Sequence, residues 1–163
     1  MRRLFSILCL GLLAGCSKPS DTFDSLVLEP TAAQPKLPTI RLYIGQQVID
    51  AEIAITLQEQ ITGMMFRTNL TDNDAMLFIF PKPAHQAFWN KNCDPLDLAY
   101  LDADGFIIDI NTMNAGQTNL IASSANNIKY ALETRGGWFK DHYFTPHMLC
   151  TTSEGSLQKT FHQ

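Results

Sequence analysis

Apolar and polar positions alternate with a period of two over much of the chain from Thr39 onward. In Val48–Ile55, Ile49, Ala51, Ile53 and Ile55 are interleaved with Asp50, Glu52 and Ala54, the pattern of a strand with one buried face. Thr39–Tyr43 reads as a strand joined to it through Gly45-Gln46-Gln47. Ala75–Phe80 is almost wholly apolar, short and closed by Pro81-Lys82-Pro83, which predicts a strand covered on both faces. Gln86–Asn90, Leu96–Leu101, Phe106–Ile110, Ile128–Glu133 and His147–Thr151 supply further strands, and the tail after Thr151 reads as frayed. Asp94-Pro95 predicts a turn, because proline pushes the preceding residue out of the helical region. Asp102-Ala103-Asp104-Gly105 predicts a hairpin with Gly105 free to take positive φ. Asn114–Asn127 is small and polar, hence a long loop, and Gly136-Gly137 lets the chain turn before Trp138.

The period changes to a helical one once. Thr56-Leu57-Gln58-Glu59 is a capping box, and Leu57, Ile61, Met64 and Met65 form an apolar stripe behind it. The spacing predicts a helix over 57–66 that tolerates Gly63 at up to about 1 kcal/mol. The expectation is an α+β, β-rich domain over 39–163. Its small sheet of about seven to eight short strands curls toward a barrel, with this one main helix over an opening.

The first residues do not fit that pattern. Met1-Arg2-Arg3 is basic, and Leu4–Leu13 is apolar but at roughly ten residues too short to span a bilayer as a helix. Leu13-Ala14-Gly15-Cys16 follows. The order resembles a bacterial lipoprotein signal peptide over 1–15, cleaved before a Cys16 that carries the lipid. Residues 16–38 then form a tether stiffened by Pro19, Pro30, Pro35 and Pro38, in which Phe23–Leu28 is a short apolar run. The resemblance implies export and a membrane anchor. Ser17 after the lipidated cysteine implies the periplasmic face of the outer membrane in a Gram-negative host.

Composition narrows the function. The chain has 163 residues, 45% hydrophobic and 17% charged, which suits one packed domain. The net charge is −4 and no basic block occurs, so nucleic acid is a poor partner. Removal of residues 1–15 takes away two arginines and makes the rest more acidic, so lipid rather than a basic patch must hold it to an anionic leaflet. No P-loop, G-x-S-x-G or dinucleotide fingerprint is present.

Three segments resemble one bacterial and archaeal family, the domain of unknown function 192 family, over roughly 40–144. They are Gly63-Met64-Met65-Phe66-Arg67 with Ala75–Pro81; Phe88-Trp89-Asn90-Lys91-Asn92-Cys93-Asp94-Pro95-Leu96-Asp97; and Ala131-Leu132-Glu133 with Gly137-Trp138-Phe139. The family's usual central segment is F-W-M-K-N-T-x-x-P-L-D; here Asn90 replaces the methionine, Cys93 the threonine, and one residue is missing before Pro95. The resemblance implies a domain and no established activity.

Trp89, Lys91, Asn92, Asp97, Glu133 and Trp138 are the candidate ligand-binding residues. An aromatic platform beside a cation and amides suits a small polar ligand, a glycan or an envelope partner. The plainer alternative is that Lys91 pairs with Asp97 or Glu133 while the tryptophans fill the barrel. Asp97 and Glu133 are also the only pair put forward for acid/base work in a cell-envelope hydrolase or transferase. Cys93 and Cys150 remain once Cys9 and Cys16 are accounted for. In an oxidising compartment they are a disulfide candidate worth about 4 kcal/mol by chain entropy, with two free thiols as the alternative. A metal-handling lipoprotein is the remaining reading. His85, His142, His147, Met148, Cys93 and Cys150 offer nitrogen and sulfur but show no ligand spacing, so no metal or cofactor is assigned.

Overall fold

The alternation in the first half builds a hairpin at the centre of the sheet. Strands β1 (Thr39–Ile44) and β2 (Gln47–Ala54) pair antiparallel, with Leu42 opposite Ile49 and Ile40 opposite Ala51. The computed structural model describes residues 29–161. The expected signal peptide, Cys16 and the apolar run 23–28 lie outside these described residues. After β2 the capping box forms as expected. Glu59 N donates to Thr56 Oγ1, and the Thr56 and Ile55 amides donate to Glu59 Oε2. Helix α1 (Leu57–Thr62) stops four residues short of the expected 66, because Gly63 takes φ +48 and turns the chain away.

The chain returns in β3 (Ala75–Ala84), parallel to β2, and β3 runs on through both prolines of Pro81-Lys82-Pro83. Next come β4 (Ala87–Phe88), β5 (Leu96–Leu101), β6 (Ile107–Met113), β7 (Ile121–Ala122) and β8 (Ile128–Arg135). Helix α2 (Trp138–Asp141), β9 (Cys150–Thr152), β10 (Gly155–Ser156) and helix α3 (Leu157–Phe161) complete the described chain. The tail after Thr151 is thus folded, not frayed. Leu157 is fully buried, and Phe161 packs against Tyr130. The loop expected over 114–127 contains β7, which pairs with β4 in a small two-stranded sheet.

The main sheet has the order β10-β9-β1-β2-β3-β8-β5-β6 and curls into a half-barrel. Its far ends meet in a short seam. Ile107 N donates to Met148 O, His147 N to Ile107 O, and Cys150 N to Gly105 O. Gly105 sits at φ +97 in that seam, where an added Cβ would come within 2.5 Å of Cys150 O. The turn before it is the expected one: Asp102 Oδ1 accepts from the amides of Asp104, Gly105 and Phe106.

Because the sheet is covered on both sides, alternate residues feed two cores. The inner core holds Leu42, Ile44, Leu77, Leu101, Tyr130 and Leu132 with Trp138 and Phe139 of α2. The outer core holds Met76, Phe78, Phe80, Leu98, Tyr100 and Ala131 beneath Met64 and the loops around Phe88 and Cys93. Cys150 belongs to the first and Cys93 to the second, so they are two free thiols on opposite sides of the sheet and the expected disulfide does not form. Residues 34–38, expected to end a tether, are fastened to the domain. Gln34 Nε2 donates to the carbonyls of Glu59 and Gly63, Leu37 N donates to Glu52 Oε2, and Ile53 N donates to Pro38 O. No helix of the described residues is long and apolar enough to cross a membrane.

Candidate functional site

The outer core is incompletely filled. A cavity of about 250 Å³ opens between α1, the turn after it, and the segment Gln86–Cys93. Ile61, Met64, Phe78, Phe80, Phe88 and Leu96 are among its apolar residues, and Trp89, Asn90, Lys91, Cys93 and Glu133 line it too, with Gln60, Thr62 and Gln86 as further polar groups. The aromatic wall is well supported. Phe88 meets Phe78 edge to face at 4.9 Å and lies 5.8 Å from Tyr100, whose hydroxyl donates to Ile121 O at 2.5 Å.

Gly63 permits the close approach of the turn over the cavity floor. A side chain there would press on the Phe78 ring at 3.3 Å and Glu133 Oε2 at 3.5 Å. Past it, Arg67 is held by Glu52 in a bidentate pair of 2.6 and 2.8 Å. Lys36 adds a contact of 3.3 Å to the same carboxylate. Burial pushes the Glu52 carboxyl up, but the bonds from Arg67 and Leu37 outweigh it and leave it below the ordinary range. The Arg67 carbonyl accepts from Cys93 Sγ, and Phe66 N donates to Asn92 O, so the turn after α1 and the segment after Trp89 brace one another.

Glu133 lies on the floor, 3% exposed, and its Oε2 has no hydrogen-bond partner. Burial pushes its carboxyl up to about 8, against a backbone bond from Met64 and the charge of Arg67, which lower it. Asn90, 1% exposed, spends its Nδ2 on Asp94 O at 2.8 Å and Met113 O at 3.3 Å, and its Oδ1 is left without a partner. The Cys93 thiol is pushed up to about 12 by burial and by the charges of Glu133 and Asp94, which makes it a poor nucleophile.

The six residues singled out by sequence do not form one cluster. Trp89, Lys91 and Glu133 line the cavity. Trp89 is 43% exposed, so it forms the rim rather than a buried platform. Lys91 pairs with neither Asp97 nor Glu133; its ammonium reaches Glu29 at 3.5 Å between two exposed side chains. Asn92 is exposed and contributes its backbone at φ +59. Trp138 is buried in the inner core against His142, Phe139 and Phe144. Asp97 also faces inward, accepting from Thr112 Oγ1 at 2.8 Å and from Phe139 N at 3.2 Å, which caps α2. Register explains the separation. Asp97 is paired with Thr134, so Glu133, one residue away, points to the other face. The acid/base pair of Asp97 and Glu133 is therefore not assembled. Among the described residues no three His, Cys, Asp or Glu side chains gather as a metal site, and His85, His142 and His147 do not line the cavity. Sequence reasoning missed Asn90 and Cys93 as cavity residues. The signal was present: they are the positions where the central segment departs from F-W-M-K-N-T.

Fold and site together define a small β half-barrel with a lateral cavity under its first helix. The chain belongs to the domain of unknown function 192 family, described as "Uncharacterized ACR", whose profile matches residues 40–148. Two solved structures share the fold. One, described as a putative transcription regulator from Sinorhizobium meliloti 1021, is 22% identical with a TM-score of 0.69, over 74% of this chain and 98% of that one. The other, a protein of unknown function from Novosphingobium aromaticivorans DSM 12444, is 26% identical with a TM-score of 0.66, over 70% of this chain and 85% of that one. No match was found among curated proteins.

Proposed function

We propose that this protein is a non-catalytic binding domain that takes a small polar ligand into the cavity under α1, and that it is held at the envelope membrane by a lipid on Cys16. The observation that carries the binding reading is the cavity itself. It is an apolar recess with convergent polar groups, two of them buried side-chain oxygens without partners. Its volume is at the small end for ligand sites, which favours a metabolite-sized ligand over a glycan chain. Catalysis lacks support, because the cavity lining holds no histidine, one carboxylate and a thiol that burial keeps protonated. The anchor rests on the sequence of Met1–Cys16 alone, and the location at the outer membrane on Ser17.

The binding reading is tested by thermal-shift screening of the full chain against a metabolite library, repeated with Trp89→Ala and Lys91→Ala. A stabilising ligand whose effect is lost in Trp89→Ala, with the fold intact, supports it. A library without effect, or a ligand indifferent to Trp89, sinks it. For the anchor, mass spectrometry of protein extracted from membranes should find a chain starting at an acylated Cys16. A chain that retains Met1 and carries no fatty acid ends that part.

A further inference from the structure

We propose that the ligand's recognised group is a primary ammonium, seated between Glu133 and Asn90 with its apolar body against Phe78 and Phe88. This rests on the binding reading above and names the chemical class. Among the described residues three buried side-chain polar atoms lack a partner, and two of them, Asn90 Oδ1 and Glu133 Oε2, belong to residues lining this one cavity. The Asn90 amide cannot simply be turned over. A flip would set its oxygen against the carbonyls of Asp94 and Met113, which now accept from Nδ2.

The side-chain donors of α1 and of Cys93 around the cavity are already committed. Gln60 Nε2 is spent on the carbonyls of Ala54, Ile55 and Ile79, the Thr62 hydroxyl on Gln58 O, and the Cys93 thiol on Arg67 O. Arg67 is occupied by Glu52. A buried anion would find only the Glu133 proton and the rim groups Gln86, Trp89 and Lys91, while an ammonium brings three donors to the free oxygens of Glu133 and Asn90. It also brings the positive charge that a buried carboxylate requires and that this fold supplies only through Arg67, which is already bonded to Glu52. Lys91 at the rim is paired with Glu29 and open to water, which screens it. Trp89 at the mouth is an indole, the side chain that attracts a cation best.

Binding must then move a proton. In the empty cavity below pH 8 the Glu133 carboxyl holds one; when R–NH₃⁺ docks, the carboxyl ionises and the proton leaves to solvent. The titratable groups facing Glu133 are Arg67 beyond α1, Cys93 in the loop before β5, Tyr100 on β5 and Lys91 at the rim. Arg67 is raised further by its pair with Glu52, and burial raises the thiol and the phenol, so none of these three changes charge near neutrality.

The test is calorimetry on the full-length chain with phenethylamine, 2-phenylethanol and 3-phenylpropionate, in buffers of different ionisation heat. The amine should bind best, release close to one proton, and gain up to about tenfold in affinity per pH unit up to about pH 8. Glu133→Gln should lower amine affinity at least tenfold and flatten its pH dependence. If that variant does not fold, proton release by the native chain decides. The alcohol or the acid binding better, or amine binding with no proton released, overturns the ammonium assignment; if that binding is lost in Trp89→Ala, the broader binding reading survives. No heat and no thermal shift from any of the three overturns the ammonium assignment, while the metabolite screen decides the broader reading separately.

Discussion

The two faces of the sheet treat a buried carboxylate in opposite ways. On the inner face Asp97 has both oxygens engaged, by the Thr112 hydroxyl and the Phe139 amide, and it holds α2 over the end of the half-barrel. On the outer face Glu133 is equally buried and lines a cavity, yet one of its oxygens has no donor. A buried polar group that completes a network is structural; one left open in a recess costs stability in the empty protein and marks where something else belongs. The inner face is a filled core, in which the Tyr130 hydroxyl is the one buried side-chain polar atom among the described residues that lacks a partner. The outer face, closed by a six-residue helix and loops, is the part with room for function.

The largest expected effect comes from removing the satisfied carboxylate. Asp97→Ala strips the acceptor from two donors and uncaps α2, and should cost about 2–4 kcal/mol. Urea unfolding with an unchanged m-value would measure it. Glu133→Gln should not destabilise the fold at neutral pH, because an amide keeps the volume and removes a group that ionises on unfolding. Equal losses from both substitutions would erase the distinction between the faces.

A further effect with a definite sign comes from pH. The Glu133 carboxyl is raised from 4.5 to about 8 in the folded chain. Between those values the folded state holds a proton that the unfolded state has released, so stability is full below about pH 4.5, falls as pH rises, and levels off above about pH 8. Glu59 and Asp74, whose carboxyls are lowered in the fold, act oppositely and lose their contribution as pH falls into the acid range. The difference between wild type and Glu133→Gln isolates the first group. The wild type should lose ground to the variant steadily from about pH 5 to pH 8. A difference that stays flat with pH would mean that Glu133 is ionised and paired.

How much of this was legible in the sequence follows from the same two faces. Period-two alternation located β1, β2, β5, β6 and β8 within a few residues, and the capping box located the start of α1. Alternation says that neighbours point apart, but in a sheet covered on both sides it does not say which face is closed. Asp97 and Glu133 are acids in two of the three resembling segments, which suggests a pair; only the pairing of Asp97 with Thr134 reveals that they are one residue out of phase. Trp89 and Trp138 are chemically identical, and only the tertiary fold makes one a rim and the other a core residue. The end of α1 was misjudged because Met64 and Met65 continue the apolar stripe, while Gly63 turns the chain over Glu133. The tail was misread because its strand and helix depend on one deep anchor, Leu157, in an otherwise polar stretch.

The two thiols repeat the comparison at the smallest scale. Cys150 is sealed in the inner core, between the seam at Gly105 and the β1 residue Ile44. Cys93 borders the cavity, and its thiol donates to Arg67 O. Deleting one sulfur from a closed core leaves a void that neighbours cannot fill, so Cys150→Ala should cost about 1 kcal/mol. Cys93→Ala only enlarges a space that already exists and loses a weak S–H bond, so its cost should be less than half as large. Burial pushes both thiols up to about 12, so neither should react with iodoacetamide in the folded chain near pH 8, and both should react in guanidinium. Under prolonged exposure Cys93 should be modified first, because α1 and its turn can open without breaking the half-barrel. Equal costs, or Cys150 reacting ahead of Cys93, would mean that the outer face is as tightly closed as the inner one, and the cavity would lose its claim to be a binding site.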